Sequence, residues 1–363
     1  MNSTKNMTKL DVSLLGKKFR GSMLGCLAGD CIGSPYEGET MSSGDRVVLQ
    51  NSYDKLEGPM YRAPVMQFSD DSAMTKSVAE SLIEKKDLDL VDMAKKFVKS
   101  YYQEPHRGYG QSVVTVFKKL RGSKFTDVLL PAREQFNGQG SFGNGAAMRV
   151  TPIALFCYNN YERTIDMARQ QSLLTHTHKI GIDGAILQAM AIQQSLHSHP
   201  KDEFDAREFV DDLIDKMNFV EADEEGLGLV EPQPYKKRLT LVKKLLSEKN
   251  GNKPTPDQVV HELGNDITGV GSVPTAIFCF LRAQSPIEGI RTENPLRRAI
   301  QYAVSLGGDT DTIGCMTGAI AGAFYGDEKL SPNVLQHCEG SEEFKQLADK
   351  LLDAATSVEW NSN

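Results

Sequence analysis

The chain of 363 residues contains no Cys-x-x-Cys pair, no His-Glu-x-x-His and no Gly-x-Ser-x-Gly. The first two absences exclude the common zinc spacings, and the third excludes the nucleophile elbow of serine hydrolases. The βαβ alternation of a parallel sheet is also missing. No apolar run is long and uninterrupted enough to span a bilayer, so no membrane association is expected. A basic excess is absent as well: the formal net charge is −7. Backbone-driven DNA binding is therefore not expected, and a polyanionic ligand would have to be met locally. The six cysteines (Cys26, Cys31, Cys157, Cys279, Cys315 and Cys338) mostly sit in apolar, helix-like runs. They read as small buried hydrophobes in a reducing compartment.

What the chain does have is two acidic clusters far apart in sequence. One is Ser69-Asp70-Asp71-Ser72 and the other is Gly307-Gly308-Asp309-Thr310-Asp311-Thr312. Adjacent carboxylates repel and are costly to bury unless a cation neutralises them. Neither cluster holds Cys or His, and the neighbouring hydroxyls add neutral oxygens. Such a donor set suits a hard divalent cation, Mg²⁺ or Mn²⁺. If the clusters meet, four carboxylates can hold two ions and support hydrolysis. The alternative is that each cluster caps the helix that follows it, Ala73–Glu84 or Ile313–Tyr325. Capping does not by itself require paired acids at both places.

Helical periodicity dominates the rest, and an all-α fold with one compact core is expected. Leu14–Cys31 carries Gly21, Gly25 and Gly29 four residues apart, a stripe for close helix packing. Amphipathic helices are expected at Ser72–Lys85, Leu90–Tyr102, Gln111–Leu120, Tyr161–Leu174, Gly181–Ser198 and Ala206–Met217. The same holds for Pro234–Ser247, Val273–Arg282, Pro295–Leu306 and Phe344–Ala355. Arg46–Gln50 is the best extended segment. Glu221–Gln233 and Asn250–Asp257 read as solvated connections. The basic residues among the first twenty weakly resemble a mitochondrial presequence, but they lead directly into the first helix, so residues 1–12 are expected to fray. A single domain over 1–363 is expected, since no linker or repeat is visible.

Gly138-Gln139-Gly140-Ser141-Phe142-Gly143 matches Gly-x-Gly-x-x-Gly but follows a helix-like segment, Leu130–Phe136, where a Rossmann site requires a strand. Leading into the apolar run Ala146–Phe156, it can still offer backbone amides to a phosphate. Ser141 and Asn144 can add hydrogen bonds, and Phe136 and Phe142 can stack on a base. A plain glycine turn is the alternative. Gly108-Tyr109-Gly110 precedes a helix in the same way. His176 suits a ligand contact better than a metal, or else a helix terminus. His106, His197, His199, His261 and His337 read as surface residues. Glu37, on a Pro/Gly loop, suits a general acid or base or a metal ligand.

Together these segments resemble the ADP-ribosylglycohydrolase family. The resemblance runs from about Lys18 to about Phe324. It is carried by Gly25-Cys26-Leu27-Ala28-Gly29-Asp30 leading to Glu37, by Ser69–Met74, by Gly108-Tyr109-Gly110, by Gln135–Gly145, by Leu174-Thr175-His176 and by Ser305–Thr312. The Gly-Tyr-Gly and Phe-Asn-Gly segments are most like its serine-ADP-ribose hydrolase branch. The resemblance implies two Mg²⁺ ions, one held by Ser69, Asp70, Asp71 and Asp311 and the other by Asp309, Asp311 and Thr312. It implies a catalytic Glu37 and Asp309. Substrate contacts would come from Gly108, Gly110, Gly140, Ser141, Gly143, Asn144, His176 and Ile267, with Phe136 and Phe142 clamping adenine. Ser69 stands where the family usually has Thr, and Phe142 where close relatives often have Tyr; a ligating oxygen and a stacking face are kept. The implied substrates are ADP-ribosylated proteins, poly(ADP-ribose) and O-acetyl-ADP-ribose. ADP-ribose is the implied ligand, and a monomer in nucleus and cytoplasm, with the mitochondrial matrix a further compartment, is the implied state. A non-catalytic ADP-ribose reader and a two-metal nucleotide diphosphohydrolase are the alternatives.

Overall fold

A computed structural model describes residues 12–59, 61–200, 203–222, 232–247 and 253–358. Eighteen α-helices occur among the described residues. The first nine are α1 (Val12–Gly33), α2 (Ser43–Glu57), α3 (Asp70–Lys85), α4 (Leu90–Gln103), α5 (Gln111–Gly122), α6 (Leu130–Arg133), α7 (Gly145–Met148), α8 (Thr151–Phe156) and α9 (Tyr161–Ser172). The rest are α10 (Lys179–His197), α11 (Ala206–Val220), α12 (Pro234–Leu246), α13 (Pro256–Leu263), α14 (Gly269–Arg282), α15 (Pro295–Ser305), α16 (Thr310–Tyr325), α17 (Pro332–Leu335) and α18 (Ser341–Thr356). Among these residues β-structure is limited to isolated bridges. No described helix is long and apolar enough to cross a membrane.

Two helices form the axis of the molecule. α1 and α16 are buried over most of their length. Gly21, Gly25 and Gly29 of α1 face Gly322, Gly318 and Gly314 of α16, backbone against backbone. A Cβ on Gly314 would lie 2.7 Å from the carbonyl oxygen of Gly29, closer than real side chains come. Close approach of this kind is what a four-residue glycine spacing permits. Its effect is to bring Asp30, near the end of α1, beside Asp311, in the first turn of α16.

The expected helices form, with ends shifted by a few residues. Arg46–Gln50 is a correction: it lies inside α2, not in a strand. Ser42 and Asp45 form a reciprocal capping box, and Leu49, Tyr53 and Leu56 are buried at helical spacing. The β-branched pair Val47 and Val48, which suggested a strand, is exposed. The run Ala146–Phe156 is broken at Arg149–Val150 into α7 and α8, with Pro152 in the first turn of α8. Pro256–Leu263 is helical, so Asp257 belongs to α13. Residues 223–231 and 250–252 of the expected loops, and residues 1–11, lie outside the described residues; Val12 already belongs to α1. His337 is buried, edge-on to Tyr61, because the turn before α18 docks on the segment preceding α3.

Candidate active site

Both acidic clusters sit at helix starts, and the axis brings the two starts together. Ser69 is the N-cap of α3, its hydroxyl accepting from the Asp71 amide at 3.2 Å. Asp309 occupies the N-cap position of α16 without a side-chain cap bond. Capping therefore accounts for Ser69 but not for the aspartates. Thr312 Oγ1 donates to Asp71 Oδ1 at 3.4 Å, a direct contact between the clusters.

Two carboxylate trios result. The ligand oxygens of Asp30, Asp71 and Asp311 lie within 4.8 Å of one another, and so do those of Glu37, Asp309 and Asp311. Asp311 belongs to both. Asp70 stands outside both trios: its amide donates to Arg107 O at 2.7 Å, and Gly108 packs beside its carboxylate. Asp30 fills the trio instead, and the sequence reading had not singled it out. It accepts from the amides of Ser69 (3.0 Å) and Ser72 (3.0 Å), so it also anchors the start of α3. The usable signal was a lone carboxylate in a buried glycine-striped helix, a placement rare without a partner.

Burial is the main cause of raised pKa values at these acids, with mutual repulsion added. It pushes Asp70 up to about 8, with the Asp30 charge next in importance. It pushes Asp311 up to about 9, with Asp309 and Glu37 adding to it. Asp71 lies well above the carboxylate range for the same reason, with Asp311 its strongest repulsive charge. Asp30, Glu37 and Asp309 are also raised, burial leading in each. Among the described residues none of these acids has an ion-pair partner, and Asp71 Oδ2 is buried without a hydrogen bond. A hard divalent cation fits this donor set, and Asp71 Oδ2 is an oxygen it would satisfy.

Glu37 follows the short 3₁₀ turn Ser34–Tyr36 on an exposed loop. That loop is tied to the second cluster: Gly38 N donates to Gly308 O at 2.8 Å and Gly308 N to Glu39 O at 2.9 Å.

The glycine loop lies on the other side of Asp309. Asn144 is the link, its amide NH₂ donating to Asp309 Oδ2 at 2.5 Å and to Ser272 Oγ at 3.1 Å. Those bonds leave only its oxygen for a ligand. Residues 142–144 pair with 267–269: Asn144 N donates to Ile267 O at 2.9 Å and Gly269 N to Phe142 O at 3.0 Å. Ile267 is thereby held beside the loop. Phe136, Phe142 and Ile267 are 52%, 48% and 68% exposed, so three apolar side chains face solvent around one loop. Phe136 and Asn137 both adopt positive φ (50° and 56°), a strained pair that turns the ring outward. Ser141 Oγ accepts from Gly143 N at 3.3 Å. Gly140 has φ 76°, and a Cβ there would lie 2.6 Å from His178 N. His176 is buried beneath Gly143 and Gly145, while Gly110 is the N-cap of α5.

Comparisons with known proteins agree with this architecture. The sequence profile of the ADP-ribosylglycohydrolase family matches residues 11–360. The chain is 43% identical over 344 residues to "ADP-ribosylhydrolase ARH3" of Mus musculus, covering 92% of this chain and 90% of that protein. It is 42% identical over 344 residues to the Homo sapiens protein of the same name, covering 92% of each. A solved structure titled "ADP-ribosylglycohydrolase-related protein complex" superposes with a TM-score of 0.65 at 19% identity, over 94% of this chain and 99% of that one. At that identity the likeness shows the fold. The family match over nearly the whole length, and the relatives above 40%, show more: this chain belongs to the ADP-ribosylglycohydrolase family.

Proposed function

We propose that this chain is a glycohydrolase that releases ADP-ribose from protein serine and also cleaves poly(ADP-ribose) and O-acetyl-ADP-ribose. The observation that carries the reading is Asp311 shared between two carboxylate trios, with Glu37 in one of them and an exposed aromatic pair across Asn144. Family membership supplies the ADP-ribosyl substrate class.

Asp30, Asp71 and Asp311, with Ser69 and Asp70 at their edge, would hold one ion; Asp309, Asp311 and Thr312, with Glu37 beside them, would hold the second. Two Mg²⁺ ions, with Mn²⁺ as a substitute, would supply Lewis-acid polarisation of ribose oxygens and a more acidic water for attack at C1″. Phe136 and Phe142 stack the adenine from both sides of the loop. Backbone amides of Ser141 and Phe142 in the Gly140–Gly143 loop, with the Ser141 hydroxyl and His176, meet the diphosphate. Gly108, beside Asp70, and Gly110 let backbone approach the distal ribose closely. The fixed clamp and diphosphate seat orient C1″ over the carboxylates. Glu37, on its loop beside Asp309, holds or moves a proton at the scissile oxygen, or orients the substrate, as the bond lengthens toward an oxocarbenium-like state. Asp309, oriented by Asn144, stabilises the positive charge that develops. The working form is a monomer of one domain, acting in nucleus, cytoplasm and mitochondrial matrix without direct DNA contact.

The test is ADP-ribose release from a serine-ADP-ribosylated peptide, in Mg²⁺ or in excess chelator, with Glu37→Gln alongside. Mg²⁺-dependent release that the variant lacks is the expected result. AMP as product would make the protein a diphosphohydrolase. Tight binding without product would make it a reader.

A further inference from the structure

Arg149 is fully buried and forms no ion pair among the described residues. Its guanidinium is spent on neutral acceptors: Gln171 Oε1 (2.8 Å), Gln171 O (3.0 Å), Gly145 O (3.3 Å) and Thr175 Oγ1 (2.8 Å). Phe97 closes one face, its ring centroid 4.8 Å away. A cation buried without a carboxylate is costly, so its use must be sought in what it orients.

The bond to Thr175 decides that use. Arginine has only donors, so Thr175 Oγ1 accepts from it. The other partner of that hydroxyl is His176 Nδ1, at 2.7 Å. Thr175 is 1% exposed. If Nδ1 carried the proton, Oγ1 would accept twice and its own hydrogen would be buried without an acceptor, a costly arrangement. The O–H therefore points at Nδ1, which is the bare nitrogen, and the ring proton sits on Nε2. The imidazolium, which also carries a proton on Nδ1, is excluded by the same geometry; in keeping with this, burial, with Arg149 adding its charge, pushes the His176 pKa down to about 3. Nε2 faces the glycine loop, where a Cβ on Gly143 or Gly145 would lie 3.4 or 3.3 Å from it.

We propose that Arg149 and Thr175 are positioning residues that hold His176 as the neutral Nε2–H tautomer, so that it presents a proton donor, and no acceptor, to a diphosphate oxygen at the Gly143–Gly145 loop. The diphosphate rests on the functional reading above; the tautomer rests on the hydrogen-bond geometry alone. A donor-only ring selects a fully ionised oxygen and rejects a ligand group that brings its own proton.

The experiment uses the full chain labelled with ¹⁵N-histidine, with His176→Gln to assign the resonance. At pH 7 the His176 ring is expected to show a protonated Nε2 and a bare Nδ1. A protonated Nδ1, or an imidazolium, would overturn the proposal. In Thr175→Val the ring is expected to lose its single tautomer and ADP-ribose to bind about tenfold more weakly. Thr175→Ser should restore both, which a loss of packing alone would not predict. A Val variant that keeps the wild-type tautomer and affinity would also overturn it. Should that variant fail to fold, the wild-type and Thr175→Ser spectra still decide. If wild-type protein binds no ADP-ribose, the functional reading and the donor role fall together, and the spectrum still decides the tautomer.

Discussion

Gly29 and Gly314 touch through their backbones, with no room for a methyl group on either. Asp30 and Asp311 are one and three residues away, so this contact sets the width of the carboxylate cluster. Gly314→Ala should therefore destabilise the protein by about 3 kcal/mol or more, at the upper end for overpacking, and lower turnover as well. Gly122→Ala, where a Cβ meets nothing within 4 Å, should change stability by less than about 0.5 kcal/mol. Urea unfolding of the two variants checks this; equal effects would show that the helix contact is not tight.

The acid cluster should make metal-free stability depend on pH. Asp70 and Asp311 are raised to about 8 and about 9 in the folded state, far above an ordinary carboxylate. The folded chain thus binds more protons than the unfolded one between about pH 4 and pH 9, so stability falls as pH rises through that window. A divalent cation holds the groups ionised and removes the penalty. The Mg²⁺-induced rise in Tm of metal-stripped protein should therefore grow from pH 5.5 to 8.5. A shift that stays constant or shrinks would contradict the account.

Asp30→Asn should weaken Mg²⁺ binding at least about tenfold, because a charged oxygen of the first trio is lost along with part of the anchor for α3. Calorimetric titration with Mg²⁺ reads this directly. An unchanged affinity would leave Asp30 as a helix anchor only.

Phe136→Ala and Phe142→Ala should each lower ADP-ribose affinity about tenfold, as expected when a base loses one stacking face. Because both rings are about half exposed, stability should barely change. Phe97→Ala, in the core, should instead cost about 3–5 kcal/mol. Unchanged ADP-ribose binding in both clamp variants would remove adenine from that loop.

Several of these relationships could be read from residue order. The glycine stripe foretold the helix contact because a period of four has one main geometric use. The paired acids foretold a cluster because repulsion between neighbours needs an external remedy. Asp30 was harder: a lone carboxylate in a glycine-striped helix hints at a partner, but only its approach to Asp71 and Asp311 says which. Arg46–Gln50 misled because Val47 and Val48 favour strands, whereas the deciding residues, Leu49, Tyr53 and Leu56, extend beyond a short window. Asn144 was expected to add a side-chain hydrogen bond to a ligand. Its commitment to Asp309, 165 positions later, is tertiary and has no signature in the loop.

The pair of backbone hydrogen bonds between Gly308 and the segment 38–39 carries an evolutionary consequence. Main-chain bonds are indifferent to side-chain identity but intolerant of slippage. Substitutions at Glu39 or Thr40 leave those bonds intact, yet inserting a single residue there would pull Glu37 out of line with Asp309. The two segments must change length together or not at all, although some 270 positions separate them.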